Sequence, residues 1–367
     1  MLKVRDLCVA MERIAPVRFA ASWDNVGLLV GDREAPLTKV LLCIDLSPDV
    51  WDEARALGAS AVVAYHPPIF EAKKTFVRGD VAFDAASAGV AIYSPHTALD
   101  GAEGGTNDVL ADALGLVARK PLRVLPEKDA TYKLVTFVPG NEVETVARAL
   151  AEAGAGVIGN YTNCSWRSEG TGTFQGGDGS HPVVGARGVL EHAPEVRLEV
   201  VCPIAKSTAI VAALFHAHPY ETPAYDLVRL APAPEKNAFI PGYGRVGELP
   251  PTSPRELVAK VKEALGLSNV LVAGPLDGEV TRAAVGAGAC GDLLTEVLRE
   301  KATFFLLGEL RHHDALRAAK AGVTIVCTMH SNSERKTLDV LRDKLQTSLP
   351  GVDVLVSRTD ADPFSFA

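Results

Sequence analysis

The most constraining feature of the sequence is a series of short apolar runs, each cut off by turn residues: 40–44, 61–64, 90–93, 303–307 and 323–327. Runs of this length, apolar at successive positions, read as strands buried on both faces under covering helices. Helical patterns separate them. Ser47-Pro48 opens one through Leu57, and residues 81–88 form a second. Thr106 caps a third, Ser253 caps a fourth over 254–265, and a closing helix spans 332–345 with Leu338, Leu341 and Leu345 at helical spacing. An amphipathic helix within residues 1–20 turns Leu7, Val9, Met11, Ile14 and Phe19 inward. Such alternation defines an α/β fold.

The pattern breaks near residue 127. A strand over 132–138 and a helix over 143–153, with Val143, Val146 and Leu150 on one face, lead into a glycine-rich stretch over 154–188. A strand over 197–203, a helix over 206–216 and a strand over 224–230 follow. The order β-α-β-β-β-α-β predicts a ferredoxin-like plait with an extra hairpin. Proline and glycine over 231–250 mark an exit linker. The expected architecture is a two-lobed α/β/α core with mixed sheets, carrying an inserted α+β ferredoxin-like domain. Lobe 1 spans 1–126, the insertion 127–245 and lobe 2 246–367.

Composition excludes several functions. With 37 Lys and Arg against 45 Asp and Glu, the net charge of −8 disfavours broad binding to nucleic-acid phosphates. No apolar stretch reaches membrane-spanning length, and residues 1–20 lack the form of a secretory signal. The six cysteines form no Cys-x-x-Cys pair and lie mostly in apolar runs, the pattern of buried thiols in a reducing cytoplasm. There is no P-loop, Gly-x-Ser-x-Gly elbow or His-Glu-x-x-His helix.

Chemistry-bearing residues gather just past the strands. His66 follows 61–64, Asp100 follows 90–94, and His330 and Glu334 follow 323–327. Open α/β sheets place ligands at the carboxyl ends of their strands. Imidazole and carboxylate together suit a divalent Zn, Mn, Fe or Ni ion, and His330 and Glu334 have the four-residue spacing of paired ligands on one helix face. Each residue also has a plain reading. Ser331-Asn332-Ser333-Glu334 is a capping box, His66 beside Pro67-Pro68 is a turn or packing histidine, and Asp100 before Gly101 is a turn residue.

Other motifs are weaker. Gly286-x-Gly288-x-x-Gly291, with Glu309 further on, fits a dinucleotide fingerprint. It comes too late in the chain to build a six-stranded nucleotide domain and reads as a close-packed turn or anion nest. The adjacent His312 and His313 point to different sides of a helix, and read as a solvated surface pair or as one histidine reaching the cleft. His216-Ala217-His218-Pro219-Tyr220-Glu221 ends a helix and reads as structural.

Taken together, SWDNVGLLVGD (22–32), YHPPIF (65–70), SPHTALDGAEGGTND (94–108), GAGACGD (286–292), LGELRHHDAL (307–316), HSNSER (330–335) and DPF (362–364) resemble the GTP cyclohydrolase I type 2, or NIF-three-like, family over nearly the whole length. GAGVIGNYTNCSW and HPYETPAYD within 132–230 resemble the PII/CutA-like insertion of its longer members. The resemblance implies a dinuclear metal site with one or two divalent cations on His66, Asp100, His330 and Glu334, the last shared. It also implies a homohexamer and a hydrolase that opens the GTP ring with release of formate. Glu334 or His96 is the proton carrier in that reading, and a small molecule of nucleotide type the substrate. Tyr65 stands where many bacterial members carry histidine, and a phenol is a poor ligand unless a metal deprotonates it. His96 is a neighbour of the site or a replacement for that ligand. The alternative function is a non-catalytic metal-binding protein that regulates or binds partners.

Overall fold

The computed structural model describes residues 1–125, 131–230 and 239–365. The junction expected at 126/127 and residues 231–238 of the expected linker lie outside these. The chain divides into two compact units. One combines residues 1–125 with the chain from Phe239 onward, and the other is the intervening segment. No helix among the described residues is long and apolar enough to cross a membrane.

The first unit holds two mixed sheets. One runs in the order Gly27–Val30, Ala91–Ser94, Ala61–Ala64, Lys39–Cys43, Asp353–Val356. Its last four strands are parallel and Gly27–Val30 is an antiparallel edge. The other runs Leu271–Ala273, Thr324–Cys327, Phe304–Leu307, Val280–Gly286, Gly242–Thr252, Val117–Val124, with the second to fourth strands parallel.

The unbroken apolar runs have a direct structural cause. Side chains alternate across a strand, so Val40, Leu42, Ala61 and Val63 enter one core while Leu41, Cys43, Val62 and Ala64 enter the core behind the sheet. In the second sheet Phe304 and Leu306 face one core, and Phe305 and Leu307 face the other. Each of these four side chains is completely buried, which contributes about 1.5–3 kcal/mol apiece.

Helix boundaries follow the local chemistry. Ser47 accepts a hydrogen bond from the Val50 N–H to start Pro48–Ala56, and Ser253 forms a capping box with Glu256 to start Pro254–Leu265. The first helix, Val4–Ile14, buries Val4, Leu7, Ala10 and Met11 but leaves Val9 exposed, one helical step off the inward face. The closing helix is broken at Lys336 into Asn332–Arg335 and Thr337–Ser348.

Sheet membership does not follow chain order. Val117–Val124 pairs with Gly242–Thr252 in the second sheet, and the late strand Asp353–Val356 pairs with Lys39–Cys43 in the first. Arg245 ties this region together from inside. It is 2% exposed, pairs with Asp108 at 2.7 Å, and donates to the carbonyls of Gly242, Gly244 and Ala102.

The second unit is one antiparallel sheet in the order Trp166–Gln175, Leu190–Pro203, Thr131–Pro139, Tyr225–Arg229. Helices Val143–Glu152 and Ser207–Ala217 pack their apolar residues on it around Leu134, Leu198 and Cys202. Among the described residues the element order is β-α-β-β-α-β, one strand fewer than expected. The glycine-rich stretch builds one long hairpin, and the strand expected to start at Arg197 begins at Leu190.

Candidate metal centre

The site forms where strands of both sheets in the first unit end. Tyr65 and His66 extend the pairing past Ala61–Ala64, with their N–H groups bound to the carbonyls of Cys43 and Ile44. His330 follows Thr324–Cys327 through Met329, whose φ of +74° is left-handed, a conformation costly for this side chain. Ser333 locks the next turn, accepting from the Gly288 N–H at 2.8 Å and donating to the His330 carbonyl at 2.7 Å.

His66, His330 and Glu334 converge, with their ligand atoms all within 4.8 Å of one another. His66 Nε2 lies 3.2 Å from Glu334 Oε2, and His330 Nε2 lies 3.5 Å from Glu334 Oε1. Glu334 is 4% exposed and His330 40%, so the carboxylate forms the floor and the cluster opens past His330. His66 Nε2 and Glu334 Oε2 are buried and make no directed hydrogen bond. The capping reading of Glu334 does not hold. Ser331 receives no side-chain cap and its hydroxyl binds Asp362 instead, because burial carries the Glu334 carboxylate inward, away from the Ser331 N–H.

Each histidine is held from behind by a carboxylate. Asp45 accepts from His66 Nδ1 at 2.9 Å, Glu309 from His330 Nδ1 at 2.7 Å, and Asp24 from His96 Nδ1 at 2.8 Å. Such a bond fixes the ring's orientation and, in the neutral imidazole, leaves Nε2 as the lone-pair donor toward the cluster. Asp45, Asp24 and this role of Glu309 were not anticipated from sequence. The available signal was that Asp45 and Glu309 also lie just past strand ends. Glu309 is the residue that fitted a ribose partner in the dinucleotide reading, and here it orients a histidine.

The electrostatics follow from these contacts. Burial opposes a charged His66, but the Asp45 bond and the proximity of Glu334 outweigh it and raise the ring to about 10. The His66 hydrogen bond in turn holds Asp45 below the usual carboxylate range. Burial favours a protonated Asp24, yet its bonds with His96 and Thr97 prevail and lower it.

Asp100 and Tyr65 lie beside the cluster and pair with each other. The buried Tyr65 hydroxyl donates to Asp100 and lies 3.1 Å from Thr106 Oγ1. Burial, with the nearby charge of Glu334, lifts Asp100 to about 6 against the opposing Tyr65 bond. His96 packs edge-on against His66 with ring centroids 5.4 Å apart, and Trp23, 62% exposed, lies against His96 and Phe70 at 6.0 Å each. Gly288, at φ +63°, borders the cluster closely. A Cβ there would sit 2.7 Å from Glu334 Oε1 and 3.2 Å from His330 Nε2. His312 and His313 are exposed, and His218 is spent structurally on the Phe137 carbonyl.

Two mixed α/β sheets with an imidazole–carboxylate cluster at their strand ends define a class of protein with a candidate metal centre. The sequence model of the Duf34/NIF3 family (NGG1p interacting factor 3) matches residues 2–363. Proteins named GTP cyclohydrolase 1 type 2 homolog are similar along their length. That of Halalkalibacterium halodurans is 36% identical over 97% of this chain and 96% of its own, and that of Bacillus subtilis 34% over 97% and 96%. Among solved structures, the Bacillus cereus protein related to NIF3 superposes with a TM-score of 0.66 at 32% identity, covering 100% of this chain and 99% of its own. Staphylococcus aureus protein SA1388 gives 0.74 at 25% identity with the same coverage. The chain belongs to the Duf34/NIF3 family.

Proposed function

We propose that the chain is a metal-dependent hydrolase in which His66, His330 and Glu334 hold a divalent cation. The observation that carries this reading is the buried, unbonded pair of His66 Nε2 and Glu334 Oε2. Burying an imidazole and a carboxylate side by side costs desolvation, which a shared proton or a shared cation offsets. A cation on both would remove that cost, and a two-nitrogen, one-carboxylate set suits Zn, Mn, Fe or Ni.

When bound, the ion supplies Lewis acidity and lowers the pKa of water toward neutrality. The chain's own residues do the rest. Asp45 and Glu309 keep Nε2 of each ligand histidine aimed inward. His96, held by Asp24 at Nδ1, presents Nε2 as the proton carrier, and Glu334 is the other candidate for that role. Asp100 flanks a second cation position that Tyr65 disfavours, since the phenol occupies a carboxylate oxygen there. Trp23 offers a ring face for the planar base of a nucleotide-like substrate. The names of the relatives support GTP as that substrate and ring opening with formate release as the reaction.

The test is formate release from GTP by the metal-loaded full chain, beside Glu334→Gln, with metal content measured on both. Release by wild type alone supports the reading. A loaded wild type that releases none removes GTP as substrate, and a variant with full metal removes the site. A second reading, a regulatory metal-binding protein, is favoured by the separate second unit with its own cavity. Full metal occupancy with no turnover across a hydrolase substrate panel is its expected result.

A further inference from the structure

The second unit carries a half-open pocket of about 560 Å³ that the metal chemistry does not use. Small-molecule sites fall in this size range and are mostly apolar with a few convergent polar groups. The walls come from the long hairpin and from Tyr220-Glu221-Thr222, at the end of a motif the metal centre leaves unexplained. Phe174 and Tyr220 form an aromatic wall with centroids 6.0 Å apart, and Phe137 lines the cavity as well.

The charges in the lining are unequally matched. Arg197 donates to Glu199 at 2.8 Å and lies over the Phe137 ring, so its charge is already engaged. His181 faces Glu221 at 3.7 Å. Glu195 and Glu169 have no cationic partner among the described residues, although both line the cavity. The backbone makes room for Glu195 in particular. A Cβ on Gly172 would lie 2.1 Å from Glu195 Oε2, so a larger residue there would push the carboxylate aside. Burial, with the Glu195 carboxylate close by, pushes the Tyr220 hydroxyl up to about 12, so the phenol stands neutral beside that carboxylate.

We propose that this cavity binds a small organic cation, an ammonium or amidinium on an apolar body, with the charge on Glu195 and the body against Phe174 and Tyr220. Unmatched carboxylates with aromatic faces are the donor set such cations select. Anions meet net repulsion, and a neutral ligand leaves Glu195 without a cationic partner.

Calorimetric titration of the full chain with phenethylamine, benzamidine and tetramethylammonium tests this, with 2-phenylethanol as the neutral counterpart. At least one cation is expected to bind saturably, and the alcohol at least about tenfold more weakly. Glu195→Gln and Gly172→Ala are expected to weaken that binding by about tenfold or more while melting like wild type. Glu334→Gln is expected to leave it unchanged, which separates this site from the metal centre. No binding by any of the three cations overturns the proposal. So does equal binding of the alcohol, or cation binding that survives in well-folded Glu195→Gln.

Discussion

His66 Nε2 and Glu334 Oε2 lie 3.2 Å apart, both buried, with no directed hydrogen bond between them. They belong to opposite halves of the first unit, one after Ala61–Ala64 and the other on Asn332–Arg335. Anything that bridges them therefore couples the two halves. A ligand bound only by the folded state stabilises it, by about 2.7 kcal/mol at a hundredfold excess over Kd. Chelation should accordingly lower the melting temperature of wild type by a few degrees and leave Glu334→Ala unmoved. Equal chelator responses in both proteins, with equal metal content by elemental analysis, would count against the cluster as the metal centre.

Gly288→Ala probes the same cluster from the backbone side. The new Cβ would crowd Glu334 Oε1 and His330 Nε2 at a left-handed φ. Expected are a loss of metal affinity of about tenfold or more and a stability cost of about 1 kcal/mol or more, read by metal titration and by denaturant unfolding. Unaltered affinity in a folded variant would show that the carboxylate position does not matter.

Tyr65 sets the stoichiometry. Its hydroxyl occupies Asp100, so one cation per chain is expected in wild type. Tyr65→His replaces the phenol with an imidazole beside Asp100 and should raise the metal content toward two. Tyr65→Phe should leave the content at one while costing about 1–3 kcal/mol, as Asp100 loses a buried donor. Two ions in the wild type, by elemental analysis on the folded chain, would refute the blocking role of Tyr65.

The sequence made some of this legible and hid the rest for physical reasons. Strands such as Phe304–Leu307 could be read because burial on both faces leaves no room for polar residues. His66, Asp100 and His330 could be placed because each follows such a run. Glu334 was ambiguous because a capping box and a ligand pair use the same spacing; in the structure it makes no cap and lies buried between His66 and His330. Val117–Val124 pairs with a strand more than a hundred residues away and is largely exposed, so it carries little periodic signal. Asp24 lies in a loop, and its bond to His96 depends on tertiary approach rather than local pattern.

Arg245 is the most exacting structural position outside the cluster. Removing one partner of a buried ion pair strands the other, at a cost of about 3–5 kcal/mol. Arg245→Ala would leave three backbone carbonyls without their donor and Asp108 with the Gly104 N–H and a more distant Arg119 alone. It should unfold at markedly lower denaturant concentration, and Arg245→Met, which restores volume but no donor, should recover only a small part. Near-complete recovery with methionine would show that packing rather than pairing holds this position.

Glu53 gives the fold a specific acid sensitivity. From helix Pro48–Ala56 it accepts from the N–H groups of Arg358 and Thr359 and from the hydroxyls of Ser357 and Thr359, clamping the segment after the last strand. Burial works against the carboxylate, but these four donors prevail and bring it down from 4.5 to about 2. A folded-state pKa below the unfolded one means that the unfolded chain takes up the proton first. The clamp is thus fully present above about pH 4.5 and is lost as pH falls toward about 2. Glu53→Gln should melt below wild type near neutral pH, with a gap that closes progressively across that window. Thermal melts in chelator at stepped pH would read this, and a gap that stays constant into acid would mean that the Glu53 charge contributes nothing to the clamp.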